Sequence, residues 1–71
     1  MPRYFTVEIQ DLDGETQMYD FAASSLWSVT AHIAARMDQE GDFYGHKKVD
    51  TLNLIINELA VKPLGHFITL N

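Results

Sequence analysis

A small α+β domain is the fold this chain predicts, and three patterns predict it. Apolar residues alternate with polar ones near the start, an apolar stripe recurs at helical spacing after residue 24, and glycines punctuate the segments between. The expected order is β-β-α-α-β, a β-hairpin with helices on one face of a short antiparallel sheet, residues 1–71 forming one globular domain.

The first element is the hairpin. Phe5, Val7 and Ile9 alternate with Tyr4, Thr6, Glu8 and Gln10, the period-2 mark of a half-buried strand. The return strand runs from Gln17 to Phe21. A two-residue Asp13-Gly14 turn would pair Val7 with Asp20 and set a carboxylate among core residues. A three-residue loop, Leu12 to Gly14 with Gly14 left-handed, pairs Val7 with Tyr19 and Phe5 with Phe21. The three-residue loop is therefore expected, burying Phe5, Val7, Ile9, Tyr19 and Phe21.

Ser24 or Ser25 can cap a helix that stops at Gly41, with Leu26, Val29, Thr30, Ile33 and Met37 on one face. His32, Arg36 and Gln39 would point outward, and Trp27 would pack against a second helix or else serve as an anchor at an interface. Residues 42–49 read as a loop. From Asp50 to Val61 two readings compete. Leu52, Ile55, Ile56 and Leu59 fit a helix ending before Pro63, whereas Leu52, Leu54 and Ile56 fit an inward-alternating strand. Two asparagines, Glu58 and Ala60 favour the helix. The strand reading would give β-β-α-β-β. Phe67 to Leu70 closes the chain as a short strand.

Composition narrows function. The chain has 71 residues, no cysteine and no long aliphatic run. Disulfides are excluded, neither a membrane span nor a signal-peptide core is evident, and the cytoplasm is the expected address. A domain this short buries only about 60% of its unfolded surface, leaving little interior for a dry reaction pocket. No Gly-rich phosphate loop or nucleophile elbow is present, and His32, His46 and His66 match no zinc spacing. No enzyme, cofactor or metal is expected. Ten acids against five Lys/Arg give a net charge of -5, which disfavours direct nucleic-acid binding and favours a basic protein partner.

Two acidic clusters carry that expectation. Asp11, Asp13 and Glu15 surround the hairpin turn, while Asp38, Glu40 and Asp42 stand at the helix end, where the backbone dipole already disfavours negative charge. Local Arg36, Lys47 and Lys48 can neutralise the second cluster, or a basic partner can. Tyr44 is the candidate aromatic contact beside them. If residues 51–61 are helical, Leu54 and Val61 lie one heptad apart on the outer face and offer a self-association patch, so a homodimer is the alternative to a heterologous complex.

In size and acidic α+β build the chain is similar to small phage and mobile-element proteins that inhibit large host machines, anti-CRISPR proteins and polymerase inhibitors among them. The likeness implies a non-enzymatic inhibitor docking on a basic, nucleic-acid-handling protein surface. The alternative is a structural module that self-associates through the second helix or an open sheet edge.

Overall fold

The computed structural model describes residues 2–70. Its strands are β1 (Arg3–Asp11), β2 (Thr16–Ala23), β3 (Asp42–Phe43), β4 (His46–Lys47), β5 (Thr51–Leu59) and β6 (Ile68–Thr69). Its helix α1 (Leu26–Ala35) continues into a π-helical turn, Arg36–Glu40. Among the described residues the order is thus β-β-α-β-β-β, an α+β domain.

The hairpin has the expected register. Val7 pairs with Tyr19 and Phe5 with Phe21. Asp11 accepts from the Gly14 amide at 2.9 Å and donates its own amide to Glu15 at the same distance, with Gly14 at φ 90°. That left-handed residue closes a three-residue loop, which glycine does without a Cβ clash.

Two expectations are corrected. Residues 51–59 form strand β5, not a second helix, and the sheet is mixed rather than antiparallel. Its order is β5-β1-β2-β6, with β5 antiparallel to β1 and β6 parallel to β2. The reason lies in β1. Phe5, Val7 and Ile9 are fully buried and Thr6 on the opposite face is buried as well, which makes β1 a central strand whose backbone needs partners on both edges. A helix over 51–61 would leave one of those edges unpaired and reduce the sheet to little more than a hairpin, marginal by itself. As a strand, the segment sets Ile56 beside Val7 and Leu54 beside Ile9. Its poor strand formers are accommodated at the sheet edge: Asn53 and Asn57 are exposed, and Glu58 takes a bidentate pair from Arg3 at 2.7 and 2.8 Å.

Helix α1 is capped by Ser25, whose side chain accepts from the Ser28 amide, and the helical run stops at Gly41 with φ 85°. Val29 and Ile33 are buried against Phe5, Val7, Ile9, Phe21 and Phe43, with Met37 partly buried beside them. The expected stripe is narrower than read: Leu26 and Thr30 are exposed. Trp27 is 75% exposed, because the second helix it was to meet does not exist.

The stretch 42–49 is not a bare loop. Phe43 pairs with His46 across the two-residue turn Tyr44-Gly45, with positive φ at both turn residues (50° and 85°), the primed geometry that suits the twist of a hairpin. Phe43 is fully buried and pins this small hairpin to the main sheet. The last segment crosses from β5 to β6 and lays Phe67 edge-on to Tyr4 at 5.7 Å.

Candidate functional site

The β3–β4 hairpin builds a polar centre with the tip of the β1–β2 hairpin. His46, buried, approaches the Tyr19 hydroxyl through Nε2 at 2.7 Å and both Asp11 oxygens through Nδ1 at 3.1 and 3.2 Å. Both ring nitrogens are thereby engaged: the Asp11 carboxylate can only accept, so Nδ1–H donates to it, and Nε2 is partnered by the Tyr19 hydroxyl. Desolvation, and then the neighbouring Asp11 and Tyr44, raise the Tyr19 pKa, so the phenol is held as a donor. The relay therefore works as a clamp that ties hairpin to sheet.

Aromatic rings surround the clamp. Tyr44 stacks on Tyr19 at 5.1 Å, Phe43 meets Tyr19 edge-on at 5.6 Å, and the Arg36 guanidinium lies 4.9 Å over the Tyr44 ring. A half-exposed Tyr44 thus stands fixed from both sides. His32, expected to point outward, turns its ring edge toward Phe21 and Phe43. Desolvation chiefly, with Arg36 second, lowers its pKa against a weaker opposing pull from Glu40.

An open cleft of about 290 Å³ adjoins the clamp, lined by Asp11, Leu12, Asp13, Gly45, His46, Lys47 and Asp50. The Leu12 amide donates to the Asp50 carbonyl at 2.8 Å, so the hairpin tip and the 3₁₀ turn Lys48–Asp50 lie side by side. This contact brings the two acidic clusters to one end of the domain. Asp11, Asp13, Glu15, Asp38, Glu40, Asp42 and Asp50 gather there with Arg36, Lys47 and Lys48. Seven acids against three bases leave -4 of the formal -5 at this end. In their midst Leu12 and Val49 are 61% and 79% exposed.

The candidate residues do not share one role. Asp11 is taken up by His46. Asp38 pairs with Lys48 at 3.6 Å, Glu40 with Arg36 at 3.4 Å, and Asp42 stands opposite Lys47 in the β3–β4 register. Such exposed pairs are weak, so the helix-end cluster is partly neutralised rather than cancelled. Asp13 accepts from the Glu15 amide, and its carboxylate, with those of Glu15 and Asp50, faces solvent. Leu54 packs inward against the core and Val61 lies beyond the end of β5, so the shared helical face expected of them is absent.

Sequence reasoning missed Leu12, Val49 and Asp50, since only the tip-to-turn contact assembles them. Trp27, exposed, has no second helix to pack against, which leaves the alternative of an interface anchor. Among the described residues no three His, Asp or Glu side chains form a metal-ligand group, and no helix is long and apolar enough to cross a membrane. No protein-family model matches the chain, and no match to it was found among curated proteins or solved structures.

Proposed function

We propose that the chain is a non-enzymatic protein-interaction module whose acidic end docks on a basic, nucleic-acid-handling protein surface, acting as a small inhibitor of the phage or mobile-element kind. The observation that carries this reading is the concentration of net negative charge around exposed Leu12 and Val49. An apolar centre inside a charged rim is the usual anatomy of a protein interface. Like-signed charge on the rim steers the encounter with a cationic partner, and the apolar pair supplies contact once water leaves. Inhibition would follow by steric occlusion of the partner's own anionic ligand.

Immobilised wild-type chain is compared with Glu15→Lys/Asp50→Lys and with Leu12→Asp/Val49→Asp in capturing basic proteins from a host lysate across a salt series. The charge variant is expected to lose about tenfold or more in affinity at low salt and to show a flatter salt dependence. The apolar variant is expected to lose affinity at every salt concentration. Equal retention of the same partner by all three chains would refute the reading.

A further inference from the structure

We infer that β5 is a homodimer interface, a second copy of this chain pairing antiparallel with it about a two-fold axis at Ile55. Three observations carry this, and the first two do not involve the acidic end.

The first is an unprotected edge. β5 is nine residues long and ends the sheet; the Thr51 amide donates back to the Lys48 carbonyl, and among the described residues Leu52–Leu59 makes no backbone hydrogen bond on the outer edge. Monomeric proteins blunt such edges with lysine, proline, a bulge or a covering segment. Thr51–Leu59 contains no lysine and no proline. Its single charge, Glu58, already belongs to Arg3. The register shift in its pairing lies only at the Gln10/Asp11 end, so the rest of the strand is regular. Leu52 and Ile55 remain 59% and 42% exposed on it.

The second is self-complementarity, which chooses the occupant. The segment reads Asn53-Leu54-Ile55-Ile56-Asn57, matched in kind about its middle residue. Antiparallel pairing centred on Ile55 sets isoleucine against isoleucine on the outer face, flanked by Asn53 against Asn57 of the second copy. On the inner face Leu54 meets Ile56 of the second copy. Apolar cross-strand pairs and amide pairs are favourable in this arrangement, and a two-fold operator makes each pair occur twice. Moving the axis by one residue in either direction sets asparagine against isoleucine.

The third is a groove of about 240 Å³ beside this edge, lined on its apolar side by Ile33, Ala34, Met37, Leu54 and Ile56. With the axis perpendicular to the sheet, both helices lie on one face of a continuous eight-stranded sheet. Leu54 and Ile56 of each copy then extend the apolar floor of the other's groove. Antiparallel pairing also suits the charge, because the acidic end of each copy lies beside Thr51, and the two ends point away from each other.

The chain has no cysteine, which permits a direct test of register. Opposed residues in an antiparallel pair have Cα atoms about 4.5–5.5 Å apart, within disulfide reach. Ile55→Cys is therefore expected to oxidise to a covalent dimer. Asn57→Cys, displaced from its own copy by four residues or about 14 Å, is expected to stay uncrosslinked alone and to crosslink when mixed with Asn53→Cys. In sedimentation equilibrium the wild-type chain is expected to show a concentration-dependent dimer, and Ile55→Lys, an exposed change checked for folding by circular dichroism, to weaken it by about tenfold or more. A wild-type chain still monomeric near ~1 mM, or equal crosslinking of Ile55→Cys and Asn57→Cys alone, would overturn the proposal.

Discussion

Phe43→Ala tests whether a short segment that reads as a loop is in fact held by the core. The ring is fully buried and sits 4.6–6.1 Å by centroid from Tyr19, Phe21, His32 and Tyr44. Removing a buried phenyl ring costs about 3–5 kcal/mol, transfer and cavity terms together. The upper part of that range applies here, because four rings define the cavity walls and stiff rings collapse poorly. A domain of 71 residues has a total stability of roughly 4–11 kcal/mol. The substitution should therefore remove a third of the stability at least, and lower the melting temperature by about 12 °C or more. Phe43→Leu retains most of the volume and should cost about 1.5 kcal/mol. Urea unfolding followed by far-ultraviolet circular dichroism is the suitable assay, since Trp27 is already exposed and its fluorescence would report little. A loss below about 1 kcal/mol for Phe43→Ala would refute the reasoning. It would mean that the β3–β4 hairpin does not depend on this ring, and that His46 and Tyr44 are not positioned by the core.

His46→Ala leaves the Tyr19 hydroxyl and the Asp11 carboxylate without their partner and should destabilise by about 1–3 kcal/mol, whereas Asp11→Asn keeps an acceptor for Nδ1–H and should cost less. Equal losses in urea midpoints would mean that accepting from Nδ1–H is not what Asp11 contributes. His32 supplies a pH dependence of known sign: its folded pKa is lowered, so the unfolded chain binds the proton more tightly. Its contribution is fully present above the unfolded value of about 6.5 and is lost as pH falls from there through the folded pKa. Unfolding midpoints should therefore decline less steeply between pH 7.5 and 5.5, roughly the titration range of histidine, in His32→Gln than in wild type. Parallel slopes would remove His32 as the cause.

The hairpin and the first helix were legible because their signals are local. Alternation in Phe5–Ile9, an Asp13-Gly14 turn and a register test against Asp20 need only neighbouring residues, and the structure has that register. Ser25 and Gly41 likewise bound the helical run by the chemistry of their own positions. Residues 51–59 were not legible by the same means. Their apolar residues suit both periods, and what decides between them is a row of unpaired donors and acceptors on β1, forty or more residues away in the chain. Trp27 followed that choice, since its environment depended on which element came next.

The candidate site divides in the same way. Charge is additive along a sequence, so the acidic balance and its two clusters could be read directly. Which carboxylates stay free depends on tertiary neighbours: Asp11 is bound by His46 and Asp38 by Lys48, while Asp50 joins Leu12 through a backbone contact. Composition and periodicity by themselves determined an acidic α+β domain with a defined first hairpin and a capped helix. The tertiary structure alone decided that β5 lies at a free edge and that both acidic segments share one end, because long-range hydrogen bonding and burial are satisfied by the whole chain together and leave no local mark.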